Sequence, residues 1–202
     1  MPLLDETKAV LEQVFLATSA ASLYYGLNMY FIGTKEKTNM ALVKTNAMRI
    51  LDKEKLPYEM LSYQTEDGKI DGVAVAAKIG RDAGIVYKTL VAHAGQNYYV
   101  FVIPVEQELD LKKAAKAAGA KKIEMLPVKE LVSVTGYIRG GCSPIGMKKR
   151  YPTFIAQSAK LKDTIIVSGG KIGVQIELPP QVLLSVVHGQ WADLTVDVID
   201  KA

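Results

Sequence analysis

The sequence predicts a mixed α/β domain, with a largely antiparallel, curled mixed sheet surrounded by helices. Two observations carry that expectation. First, apolar runs come in pairs joined by turn residues: IVYKTLVAH and YYVFVIP flank AGQN, and TIIVSGGKIGVQIEL folds back at Ser168-Gly169-Gly170-Lys171. Second, short helical patterns lie between the hairpins. A doubly wound parallel sheet would instead need a helical crossover between successive strands.

Taken in order, the chain opens on an unusual stretch. Asp5 can cap a helix through TKAVLEQVFLATSAASLYYGLNMYFIG, and no charge falls between Gln13 and Thr34. Thr18, Ser19, Ser22, Asn28 and two glycines dilute that stretch, and the acidic opening is unlike a secretory signal. Residues 1–39 are therefore expected to be an N-terminal helical extension, with the globular domain running from 40 to 202, and a membrane anchor is disfavoured. From Met40, TNAMRILDKEKL reads as a helix ended by Pro57, YEMLSYQT as a strand, and Asp67-Gly68 as a turn. Asp71 caps DGVAVAAKIG, with Gly80 just past its end. Asp110 starts the Ala-rich helix LKKAAKAAGA, which Gly119 closes. KKIEML reads as a strand and PVKELVSV as a helix with Pro127 in its first turn. A strand follows near Pro152 to Gln157, then the second hairpin, then a helix in PPQVLLSVVHG. Trp191 to Val198 fits either class.

Composition narrows the function classes. Among 202 residues, 49% are hydrophobic and 23% charged, which suits a domain with a real core. A formal charge of +4 permits a polyanionic partner without requiring one. Cys142 is the only cysteine, so an intramolecular disulfide is impossible and a reducing cytoplasm is the expected setting. With His93 and His188 it makes no zinc-ligand spacing, and no metal or other cofactor is expected.

Three features can carry chemistry. The first is TGYIRGGCSPIGMKK, Thr135 to Lys149, where Gly136, Gly140, Gly141 and Gly146 free the backbone to approach a ligand. Its N–H groups can converge on an oxyanion, unless the stretch is an ordinary surface turn. Pro144 pushes Ser143 towards an extended conformation, which shapes the loop. The second is Lys88, which strand alternation places in one row with Val86, Leu90 and Ala92. An inward lysine serves either as a device against edge aggregation or as a pocket cation for phosphate or carboxylate. The third is basic clustering, at Lys112, Lys113, Lys116, Lys121 and Lys122 and again at Lys148, Lys149 and Arg150. Such runs are solvated faces or phosphate contacts. No Ser-His-Asp order is visible, and no histidine is placed by sequence to activate Cys142.

Taken together, VYKTL, LDLKKAAKAAGAKKIEM, TGYIRGGCSPIGMKK and IIVSGGKIG resemble the YbaK group of aminoacyl-tRNA deacylases, relatives of the editing domain of bacterial prolyl-tRNA synthetases. The resemblance covers roughly residues 41 to 198 in order. It implies a trans-editing enzyme that removes cysteine from mischarged tRNA(Pro), with prolyl-tRNA synthetase as a possible partner. The family lysine falls on Lys88 and a family tyrosine on Tyr63. The glycine loop falls on Gly140, Gly141, Ser143, Pro144 and Gly146, and a second glycine turn on Ser168, Gly169 and Gly170. Lys88, Gly140, Gly141 and Ser143 are thereby the expected catalytic residues. Tyr63, Pro144, Gly146, Ser168, Gly169 and Gly170 would bind substrate, and Lys148, Lys149 and Arg150 would hold tRNA. An aromatic that the family often places ahead of the lysine falls here near Ile70 or Asp71. In cysteine-specific members the substrate's own thiol is thought to attack its ester. The alternatives are an alanine-specific deacylase that activates water, and a noncatalytic module that binds tRNA or the synthetase.

Overall fold

The computed structural model describes residues 44–68 and 70–196; the expected extension over residues 1–39 lies outside them. Helix α1, Asn46–Lys53, starts where the Thr45 hydroxyl accepts the Met48 amide at 3.3 Å. Its Ala47, Met48 and Leu51 face the core. Strand β1, Glu59–Ser62, follows Pro57. Asp71 caps α2, Gly72–Ile79, by accepting the Ala74 amide at 2.9 Å, and Gly80 closes it with a φ of 66°.

Strands β2, Tyr87–Ala94, and β3, Asn97–Pro104, form the expected antiparallel hairpin with Ala94 opposite Asn97. Asp110 caps α3, Leu111–Ala117, through both the Lys112 and Lys113 amides. The KKIEML segment contributes only a two-residue strand, β4, Glu124–Met125. Its pairing covers just Ala92 and His93, as befits a short, charged edge. Then come α4, Val128–Thr135; β5, Thr153–Ala156; β6, Ile165–Lys171; β7, Val174–Leu178; α5, Pro180–Val186; and β8, Gln190–Ala192. Gln190–Ala192 resolves part of the ambiguous C-terminal stretch as strand.

Two sheets result. One runs β4-β2-β3-β5-β8, with β3-β5 and β5-β8 parallel; the other is the antiparallel β1-β7-β6. A single parallel bridge, Val86 to Ile166, links them. Phe101, Ile103, Ile155, Ile165, Ile176, Leu178 and Leu183 fill the main core, where the Phe101 and Phe154 rings stack 5.6 Å apart. Burial of side chains of this size stabilises by about 1.5–3 kcal/mol each before entropy is counted.

One local expectation is corrected. The second hairpin turns at Ile172 and Gly173, not at Ser168-Gly169-Gly170-Lys171. Ser168 pairs with Gln175 and Lys171 with Val174, so Gly169 and Gly170 form a bulge inside β6. The physical reason is packing. Gly170 holds a φ of 95°, and a Cβ there would sit 3.0 Å from the Tyr137 ring. Gly170 seats the Tyr137 loop and Gly169 lies against Val174, so neither ends the strand.

Candidate active site

Where the sheets part beyond the Val86–Ile166 bridge, they leave a cleft of about 810 Å³. One wall is Val86 and the first half of β2, through Leu90, and another is the Asp71 cap with Gly72, Val73 and Val75 of α2. Arg139, Gly140 and Cys142 come from the glycine loop, and Ser168 and Gln175 from β6 and β7. The half-buried Lys88 ammonium donates to the Val105 carbonyl at 3.2 Å. Val105 is itself tied to β2, its amide bonding the Val86 carbonyl at 2.9 Å.

The loop that supplies Gly140 and Cys142 is shaped from within. The α4 helix ends at Gly136, and Tyr137 turns inward, its hydroxyl donating to the Ile145 carbonyl at 2.7 Å. Asn46 donates to the Gly146 carbonyl at 3.0 Å, so α1 anchors the far end. Gly141 lies against the second sheet: a Cβ there would meet the Ile172 nitrogen at 3.1 Å and the Lys171 carbonyl carbon at 3.2 Å. The two glycine motifs therefore interlock, Gly141 on the turn after β6 and Gly170 on Tyr137.

Of the expected catalytic residues, Lys88 and Gly140 line the cleft together, and Ser168 joins them. Gly141 is buried, and its amide is engaged by the Ile138 carbonyl at 3.1 Å. Ser143 is fully buried, with its Oγ accepting the Ile145 amide at 3.2 Å, so it shapes the loop. Pro144, Gly146, Lys149 and Arg150 line a separate, smaller pocket of about 150 Å³. Lys148 is exposed and donates to the Ser133 carbonyl. Gly169 is buried in the bulge. Tyr63 follows β1 outside the residues that line the cleft, with the Lys78 ammonium 5.6 Å from its ring centre. Three cleft residues had no place in the sequence expectation. Arg139 is exposed beside Gly140, Gln175 is nearly buried, and Thr89 follows Lys88. Gln175 carried no signal like that of Lys88, since its row mates are Gly173 and Glu177 and a polar residue between Val174 and Ile176 is ordinary strand alternation.

The charges in the cleft are those of Lys88, Arg139 and Asp71, and Asp71 is committed as a helix cap. Burial pushes the Cys142 thiol up to about 12, so it is protonated at neutral pH and a poor nucleophile. Burial likewise raises Tyr137 to about 12. Neither histidine lines the cleft; His93 lies by the β2–β3 turn and contacts the Gly95 carbonyl at 3.2 Å. The arrangement offers a fixed cation and hydrogen-bonding groups, with no thiolate or histidine base to start an attack.

The chain is similar to known proteins in sequence and in fold. Residues 70–186 match the family model of the aminoacyl-tRNA editing domain. The chain is 49% identical over 162 residues to EbsC of Enterococcus faecalis, named as a Cys-tRNA(Pro)/Cys-tRNA(Cys) deacylase. That alignment covers 80% of this chain and 97% of EbsC. Among solved structures, one described as a trans-editing enzyme for prolyl-tRNA synthetase aligns with a TM-score of 0.66 at 21% identity. It covers 77% of this chain and 99% of the other. The hypothetical protein APE2540 aligns with a TM-score of 0.69 at 20% identity, covering 75% and 100%. These two likenesses establish the fold.

Proposed function

The chain belongs to the aminoacyl-tRNA editing domain family and is an aminoacyl-tRNA deacylase, and from that premise we propose that it clears cysteine from mischarged tRNA(Pro) in trans. The observation that carries the proposal is the chemistry of the cleft. It holds the Lys88 cation, while its only thiol, Cys142, is kept protonated with a pKa of about 12. A cysteinyl ester needs no enzyme nucleophile, because it brings its own thiol within reach of its own carbonyl. Such an intramolecular attack replaces a bimolecular encounter with a high effective concentration.

In this mechanism the substrate sulfur bonds to the ester carbon and the carbon–oxygen bond to the terminal ribose breaks. The thiol proton passes to the departing ribose oxygen, and a small cyclic thioester leaves for hydrolysis by water. Lys88 steadies negative charge near the ester, and backbone N–H groups stabilise the oxyanion. The similarity to EbsC, whose name includes cysteine on both tRNA(Pro) and tRNA(Cys), supports the amino acid assigned here. Selection of tRNA(Pro) by a prolyl-tRNA synthetase partner completes the proposal.

The test charges tRNA(Pro) separately with cysteine, alanine, serine, proline and S-methylcysteine. Cysteine should be removed fastest, and the S-methyl ester should survive because its sulfur can no longer attack and release a proton. Serine should be slow, since a hydroxyl ionises far less than a thiol and is the weaker nucleophile. Cys142→Ala should retain most of the activity on Cys-tRNA(Pro). A dead Cys142→Ala together with cleavage of the S-methyl ester would assign the attack to the protein thiol or to water.

The tRNA backbone is proposed to lie along Lys148, Lys149 and Arg150, which are exposed in series at the end of the glycine loop. Neutralising all three should weaken tRNA binding and flatten its dependence on salt by about one unit of slope per lost phosphate contact. Binding titrations between low and moderate salt measure this. An unchanged slope would put the tRNA on another face.

A further inference from the structure

The part of β2 that borders the cleft is an open sheet edge, and its hydrogen-bonding parity can be read from its neighbours. Val91 pairs with Val100 across the hairpin, yet the Val91 carbonyl accepts the Leu126 amide at 3.0 Å on the opposite side. Val100 likewise sends its amide away from β2, to the Pro152 carbonyl at 2.9 Å. Val91 and Val100 are therefore a non-hydrogen-bonded pair. Antiparallel ladders alternate, so the pair two residues back, Thr89 and Val102, is of the same kind. The Thr89 N–H and C=O consequently project from the free edge of β2, away from β3. On the β4 side bonding ends at Val91, through the Leu126 amide, and the bridge to β6 occurs at Val86. Thr89 lies between these two closures, on the cleft wall beside Lys88.

An aminoacyl ester has the polar groups of one strand residue: a nitrogen that donates, a single Cα, and a carbonyl that accepts. In an antiparallel ladder, two facing residues exchange both N–H···O bonds. We propose that the aminoacyl group docks on the β2 edge as a one-residue strand, exchanging two hydrogen bonds with the Thr89 backbone. The substrate ammonium donates to the Thr89 carbonyl, and the ester carbonyl accepts from the Thr89 amide. This is strand addition reduced to its smallest unit. It makes the Thr89 N–H an oxyanion donor, a role that the engaged Gly141 amide does not fill. It also explains how a cleft with two cations receives a cationic amino group, since a backbone carbonyl meets it. The inference rests on the proposed cysteinyl substrate but concerns how any aminoacyl ester is held.

The Thr89 side chain supplies a control. Its hydroxyl is buried with no hydrogen-bond partner among the described residues, so Thr89→Val replaces it with a methyl of like shape. That variant keeps the backbone donor, so its residue-89 amide should respond to a bound aminoacyl analogue as the native Thr89 amide does. Thr89→Pro removes the N–H that the hairpin does not use, and proline is tolerated where a strand N–H faces outward. It should lower kcat by about 100- to 1,000-fold, the usual cost of losing one oxyanion donor.

Two measurements on the unsubstituted protein stand even if Thr89→Pro fails to fold. With S-methylcysteine linked by an amide to 3′-amino-3′-deoxyadenosine, the Thr89 amide proton should shift downfield and exchange more slowly with solvent. With 3-mercaptopropionyl-tRNA(Pro), which keeps the thiol and lacks the amino group, kcat/KM should fall at least about tenfold, the scale of one lost hydrogen bond. An unmoved Thr89 amide at saturation overturns the assignment, as does equal turnover of the desamino and cysteinyl esters. Inactivity on both esters is distinguishable, because it strikes the substrate assignment instead.

Discussion

Lys88→Ala should lower kcat/KM for deacylation by about 100-fold or more while the protein still unfolds cooperatively, close to the native melting temperature. The two effects separate because of where the ammonium sits. It is half-buried on the cleft wall and donates to the Val105 carbonyl at 3.2 Å, while the core beneath is carried by Phe101, Ile103 and Ile165. Losing one donor to a carbonyl at a wet cleft costs about 1 kcal/mol, a small share of a domain's stability. Losing a fixed cation beside developing negative charge costs about 3 kcal/mol in the transition state, or two orders of magnitude in rate. Lys88→Arg should not restore the rate, because a planar guanidinium cannot occupy the place of a compact ammonium at Val105. Steady-state kinetics with thermal melts checks both halves. Full activity in Lys88→Ala would leave the lysine a structural role only.

Local chemistry made much of this fold legible. Asp71, Asp110 and Gly80 mark helix ends through groups within four residues, and each acts as its type predicts. Lys88 could be singled out because period-two alternation is also local. What escaped the sequence depends on partners far along the chain. Ser168-Gly169-Gly170 carries the residues of a tight turn, but the Tyr137 ring and the Gln175 register make it a bulge. Ser143 looked available within a glycine loop and instead faces the amide of Ile145. Thr89 had no distinguishing residue type, because its importance lies in backbone parity, set by Leu126 and Pro152 on two other segments. The family resemblance pointed to loops of which Gly140, Cys142 and Ser168 border the cleft. It did not separate the residues facing the cleft from those that hold the loops in place.

Gly72→Ala should destabilise the domain and damage the cleft together, against the sign that helix propensity predicts. Alanine in a helix is favoured over glycine by about 1 kcal/mol. At this position, however, a Cβ would lie 2.1 Å from Val105 Cγ1 and 2.5 Å from Val105 Cβ. Rotating the valine side chain can relieve the first contact and not the second, since a Cβ moves only with its backbone. Either the start of α2 or the strand end at Val105 must shift. Overpacking of this kind costs about 1–3 kcal/mol, which outweighs the propensity gain over most of that range. The melting temperature should then fall by several degrees, at roughly 2–4 °C per kcal/mol for a chain of this size. The Val105 carbonyl that seats Lys88 would move with the strand, so kcat should drop even in the fraction that remains folded. Gly119→Ala is the matched control. Unlike Gly72 it has a left-handed φ, 64°, with nothing within 4 Å of its Cβ and no part in the cleft. It should lose stability through backbone strain and keep its kcat. Equal kcat in the two variants would mean that α2 can retreat from Val105 without disturbing Lys88.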